Sequence, residues 1–132
     1  MNKKRLLFAT VAGFVTVFIF EMLWHGFLMK GLYEQTVSVW RPQEESNIFI
    51  MMVSQGLFAF VTAVAYTKFA KHLKCRAGIQ FGVLTGLIVA MPQLASHCYL
   101  PIPMTISLLW MLAALLRSVF ASMVIATIYK FD

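Results

Sequence analysis

The sequence predicts an all-α integral membrane protein, a four-helix transmembrane bundle that forms one domain over residues 1–132. Three observations support this fold class. Hydrophobic residues make up 61% of the chain and charged residues only 12%, whereas a soluble domain needs more charge on its surface. Four apolar segments are each long enough to cross a hydrocarbon core of about 30 Å at a rise of about 1.5 Å per residue. Most Lys and Arg residues lie in short clusters at the ends of these segments.

The basic clusters predict the orientation of the bundle. They precede the first span, separate the second from the third, and close the fourth, and together they hold eight of the eleven Lys and Arg residues. Because cytoplasmic loops carry an excess of Lys and Arg, we expect both termini and the 68–76 loop to be cytoplasmic. The protein is then a multi-pass membrane protein, with the lipid bilayer as its first partner. A membrane-protein partner or a homo-oligomer is compatible with this.

The net charge of +6 does not indicate nucleic-acid binding, because the basic residues form no continuous face. The two cysteines, Cys75 and Cys98, are expected at opposite membrane faces, so no disulfide is predicted between them.

The four spans are predicted over residues 6–29, 47–70, 77–100 and 104–130. Between the first two lies a polar segment, in which Pro42 suits the first turn of the second span. The short turn after Lys71 predicts antiparallel contact between the second and third spans.

Two rows of small residues recur at every fourth position, which is typical of close helix packing in lipid. We therefore expect the third and fourth spans to pack together through these rows. The rows are Gly78, Gly82, Gly86 and Ala90 in the third span, and Ala114, Ser118, Ser122 and Ala126 in the fourth.

The runs Glu21-Met-Leu-Trp-His25-Gly-Phe-Leu28 and Trp40-Arg-Pro-Gln-Glu44, with Tyr33 between them, resemble an uncharacterised family of small four-helix bacterial membrane proteins. Its pattern is acid-x-x-x-His-Gly, a tyrosine, and Trp-Arg-Pro-Glu, and the start of the third span at Gly78 is also similar to it. The resemblance covers most of the chain. It implies that Glu21, His25 and the Trp40 to Pro42 loop belong to a shared pattern, and it implies no activity. His97 lies outside that pattern.

Polar residues inside the spans form the candidate site. Counting about 1.5 Å per residue from the basic anchors gives their distance from the cytoplasmic side. These residues fall into three layers, each made of two residues. In order of distance, at about 20, 25 and 30 Å, the layers hold Gln55 and Arg117, Glu21 and Gln93, and His25 and His97.

The charges of Arg117 and Glu21 inside the spans can be interpreted in two ways. A charge inside a span is costly unless it is paired, so the two side chains are expected to form a structural ion pair that fixes the bundle. Alternatively, they line a pocket that opens outward, in which Arg117 binds an anionic or polar ligand while Glu21 and His25 tune it. Nothing in the sequence selects that ligand.

The leading prediction is a non-enzymatic small-ligand binder or an accessory subunit of a membrane complex, with no cofactor. The alternative is a metal- or haem-binding redox protein, because Glu21 and His25 lie four residues apart on one helix face and His97 could supply a third ligand. Ser96, His97 and Cys98 are adjacent in sequence and therefore point in different directions, so no catalytic triad is expected.

Overall fold

The computed structural model describes residues 2–71 and 76–131, which are mostly helical and contain no strand. Lys74 and Cys75 lie outside the described residues, so the expected separation of Cys75 from Cys98 is untested. Short 3-10 turns at Val37–Val39, Gln43–Glu45 and Ser96–Cys98 join the longer elements. The helices are α1 (Lys3–Leu23, extended by a π-helical turn at Trp24–Leu28), α2 (Lys30–Gln35), α3 (Ile48–Phe69), α4 (Ala77–Ala95) and α5 (Met104–Ile128).

Four of these helical stretches are long and apolar enough to cross a membrane, as predicted: Lys3–Leu28, Ile48–Phe69, Ala77–Cys98 and Met104–Ile128. Asparagine side chains begin the first two. Asn2 accepts a hydrogen bond from the Arg5 amide, and Asn47 accepts one from the Ile50 amide, each at 3.1 Å. The placement of Pro42 in the first turn of the second span was wrong, because Asn47 caps α3 and Pro42 precedes a separate 3-10 turn.

Helices α4 and α5 pack together through the two rows of small residues, as predicted. A Cβ atom added to Gly82 would lie only 2.6 Å from the Cα of Val119, and one added to Gly78 would lie 2.9 Å from the carbonyl oxygen of Ser122. Only glycine allows the two backbones to approach this closely.

Helix α1 packs against both α3 and α5. The expected contact between the second and third spans is only a small one, because α3 packs chiefly on α1 and α4 packs on α5. Helices α3 and α4 meet where the Tyr66 ring contacts the Phe81 ring edge-on, with 5.5 Å between the ring centroids. The small-residue face of α4 is already occupied by α5, so it is not available to α3.

Two buried apolar clusters stabilise the bundle. One lies near the chain termini and includes Leu6, Tyr66 and Ile125, and the other lies beside α2 and is built on Met29 and Ile106. Along both α1 and α5, the candidate polar residues fall between these two clusters in sequence.

Candidate functional site

A charged pair links α1 to α5 at the centre of the site. Nη1 of Arg117 lies 2.7 Å from Oε1 of Glu21, and both side chains are mostly buried, at 21% and 16% exposure. The Arg117 guanidinium also lies over the Phe58 ring of α3, 4.6 Å from its centroid. Nε of Arg117 has no hydrogen-bond partner among the described residues. The arginine is therefore held by three helices and keeps one buried donor unused.

His25 extends the pair toward α2. It lies four residues after Glu21, so both side chains project from the same side of the helix. Its Nε2 atom lies 3.1 Å from Oε2 of Glu21, and its Nδ1 atom lies 2.5 Å from the Tyr33 hydroxyl. The imidazole and the Tyr33 ring are stacked, with 6.1 Å between their centroids. The imidazole thus bridges a carboxylate and a phenol.

Aromatic side chains cover this end of the site. Helix α2 begins directly after the π-helical turn and carries Tyr33 back to His25. Nε1 of Trp110 on α5 donates a hydrogen bond of 2.7 Å to the Tyr33 hydroxyl. The Trp40 ring contacts the Tyr33 ring edge-on at 5.3 Å and the Trp110 ring at 5.8 Å. These aromatic rings tie the α2 segment to α5.

The hydrogen bonds run in one direction when His25 is neutral. In the tautomer with the proton on Nε2, His25 donates to Glu21 and accepts at Nδ1 from the Tyr33 hydroxyl, which in turn accepts from Trp110. Burial raises the pKa of the Tyr33 phenol above its usual value of 10.0; the hydrogen bond from Trp110 lowers it, and the nearby Glu21 carboxylate raises it further. Tyr33 therefore stays a donor at physiological pH.

Three cavities reach this cluster, and His25 lines all of them. The central cavity, of about 260 Å³, is bounded by α1, α2, α4 and α5. The lateral cavity, of about 520 Å³, lies between α1 and α3. The vestibule, of about 1050 Å³, is bounded by the α2 segment, the loop around Trp40 to Gln43, and the start of α3. Glu21 and Arg117 line the central and lateral cavities.

The predicted site residues are brought together in part. Glu21, His25 and Arg117 form one cluster, Gln93 lines the central cavity, and Gln55 lines the lateral cavity. His97 lies apart. Its Nδ1 atom is 3.0 Å from the carbonyl oxygen of Ile102, and it lines none of the three cavities. Within residues 2–71 and 76–131, no three His, Cys, Asp or Glu side chains are close enough to hold a metal ion together.

Two residues of the site were missed by the sequence analysis. Neither Tyr33 nor Trp110 was among the predicted site residues. The spacing between His25 and Tyr33 carried no usable signal, because their contact depends on the turn between α1 and α2. Trp110 lies seven residues before Arg117, about two helical turns, which places both on one face of α5 and could have identified it.

No family model, no curated protein and no solved structure matches the chain, so the resemblance to a family of small four-helix membrane proteins stays a prediction.

Proposed function

We propose that this chain is a multi-pass protein of the inner membrane that binds a small polar molecule in its central cavity. Both termini are on the cytoplasmic side in this proposal, and the vestibule opens to the opposite side. The ligand enters through the vestibule, passes the aromatic side chains of Tyr33 and Trp110, and reaches Glu21 and Arg117. The protein acts by binding and catalyses no reaction.

One observation carries the proposal: the charged cluster is open to cavities. A pair that serves only to hold helices together is best sealed from its surroundings, since polar groups inside a membrane normally face protein. Here the side chains of Glu21, Arg117 and His25 keep 16%, 21% and 31% of their surface exposed. Their polar atoms are therefore available to a molecule in the cavity.

The walls of the central cavity suggest the chemistry of the ligand. Its volume of about 260 Å³ exceeds that of an engineered cavity of about 150 Å³ that takes up benzene. Charged or hydrogen-bonding groups come from Glu21, His25, Gln93 and Arg117, while alanines of α5 form an apolar wall. A compact molecule with both donors and acceptors fits this combination.

Ligand-dependent stability tests the proposal. A library of small polar molecules is screened by thermal unfolding of the purified protein, because a ligand that binds only the folded state stabilises it by about 2.7 kcal/mol at one hundred times its Kd. The stabilisation should be lost in Gln93→Leu, which alters the central cavity. It should persist in Gln80→Leu, which changes an exposed glutamine on the same helix. Equal responses of the two variants would contradict binding at the central cavity.

An accessory subunit is the second candidate function. Helices α3 and α4 leave a mostly apolar groove of about 420 Å³ between them, bordered by Leu57, Val61 and Ile88. A helix of a partner protein would fit such a groove in a bilayer. Copurification of a partner from gently solubilised membranes, lost in Val61→Trp, would favour this role over ligand binding.

The redox alternative requires more rearrangement than either proposal. A metal or haem held by Glu21, His25 and His97 would need His97 to leave the Ile102 carbonyl and join the other two side chains.

A further inference from the structure

We propose that the lateral cavity is a second binding site, which takes a neutral amphiphile directly from the bilayer. The ligand has an apolar body and a head group that both donates and accepts hydrogen bonds, as a long-chain alcohol does. This goes beyond the proposed function, because α3 supplies the second wall of the lateral cavity, whereas α4 and α5 supply that of the central cavity.

The rim of the lateral cavity is apolar and exposed. Met22 projects from α1, Ile48 and Met51 project from α3, and all three side chains are exposed. In a bilayer, these side chains contact acyl chains. An apolar molecule can therefore enter between α1 and α3 without crossing water.

Two polar side chains at the floor of the lateral cavity each have an atom without a hydrogen-bond partner among the described residues. Gln55 is 8% exposed, and its Oε1 atom has no hydrogen-bond partner among the described residues. Nε of Arg117 also has no hydrogen-bond partner among the described residues. A buried polar atom without a partner is unfavourable. Both atoms have almost no exposed surface. A head group can donate to the Gln55 oxygen once the terminal amide turns about its last side-chain bond, and it can accept from the part of the Arg117 side chain that lines the lateral cavity.

The charge at the floor is already balanced, which argues for a neutral head group. Glu21 and Arg117 contribute one negative and one positive charge at 2.7 Å. A charged head group placed beside them would be desolvated with no free countercharge. A hydroxyl group meets both hydrogen-bonding requirements and adds no charge.

Photolabelling of the full chain in phosphatidylcholine nanodiscs tests the site. The probe is a long-chain alcohol with a photoreactive diazirine in its chain, and mass spectrometry of peptides locates the adducts. We expect adducts at Met22, Ile48 or Met51 that excess unlabelled alcohol removes. The methyl ether of the same alcohol keeps the apolar body and the acceptor but has no donor, so it should compete at least about fivefold less well, the typical effect of one lost hydrogen bond.

Either of two outcomes would overturn the proposal. Equal competition by the ether would show that the head group is not recognised. Adducts spread equally over the exposed α4 residues Leu84 and Ile88 would show that the probe samples the lipid-facing surface without a site.

A pair of glycine variants separates blocking from unfolding. Gly26 lines the lateral cavity, and no atom lies within 4 Å of a Cβ added to it. Gly26→Leu should therefore narrow the entrance and abolish specific labelling, with no clash at its Cβ. Gly31 has equally open surroundings but lines none of the three cavities, so Gly31→Leu should label normally. Specific labelling that persists in Gly26→Leu would place the amphiphile elsewhere.

A pair of glutamine variants separates the two sites. Gln55→Leu should weaken competition by the alcohol about fivefold, whereas Gln93→Leu, on the central cavity, should leave it unchanged. If Gln93→Leu is as damaging as Gln55→Leu, the lateral site is not independent and the inference fails. The proposed function is tested separately, by the stabilisation that polar ligands give to the wild-type protein.

Discussion

Replacing Gly82 by alanine tests the contact between α4 and α5. The new Cβ atom would lie 2.6 Å from the Cα of Val119 and 2.9 Å from the carbonyl oxygen of Ser118. Carbon atoms in contact settle at about 3.5–4.0 Å, so the helices must move apart by about 1 Å along this row. Overpacking of this kind typically costs about 1–3 kcal/mol. Rotation of a side chain cannot relieve it, because the contacted atoms belong to the backbone.

Gly56→Ala is the matched control. The atom nearest to its added Cβ is Cδ2 of Phe14 at 4.0 Å, an ordinary contact. Both changes gain the same helix propensity, up to about 1 kcal/mol, so the difference between the variants isolates the packing cost of about 1–3 kcal/mol. Reversible unfolding in mixed detergent and dodecyl sulfate micelles, followed by circular dichroism, measures it. If Gly82→Ala is at least as stable as Gly56→Ala, the helices do not pack in this register.

Three further predictions concern the site and its orientation. Glu21→Gln and Arg117→Met should each destabilise the protein by up to about 3–5 kcal/mol, and the double variant should recover part of the loss; additive losses in unfolding experiments would show that the two side chains are independent. Because the pKa of Tyr33 is raised in the folded protein, its contribution to stability is complete below about pH 10 and is lost as the pH rises through the folded-state value. The stability of Tyr33→Phe should therefore fall less steeply with alkaline pH than that of wild type, while Tyr99→Phe, which changes an exposed tyrosine, should behave like wild type. Reporter fusions should place both termini in the cytoplasm, and a C-terminus on the opposite side would refute the assigned topology.

The packing of α4 against α5 could be predicted because a single physical rule governs it. Small residues at every fourth position make a flat strip on a helix, and two such strips allow close approach of the backbones. The position of α3 could not be predicted in the same way. Its buried face combines the small residues Ala59 and Ala63 with the larger Gln55 and Tyr66, so its row of small residues is shorter than those of α4 and α5 and does not identify its partner.

The candidate site was predictable in its charges but not in its aromatic cover. Glu21 and Arg117 were expected to meet, because each is costly alone in a span. The contact of His25 with Tyr33 depends on the π-helical turn and on the direction in which α2 leaves it. Periodicity along the sequence specifies neither. The chain of hydrogen bonds that runs from Trp110 through Tyr33 and His25 to Glu21 therefore could not be predicted from the sequence.

The pairing of the first span with the last has a consequence for biosynthesis. Glu21 and Arg117 are separated by 96 positions in the chain, and ribosomes add about 5–20 residues per second. The carboxylate therefore waits about 5–20 s, from its own synthesis, before its countercharge is made. During that interval the nascent protein carries an acid without its countercharge in an otherwise apolar segment.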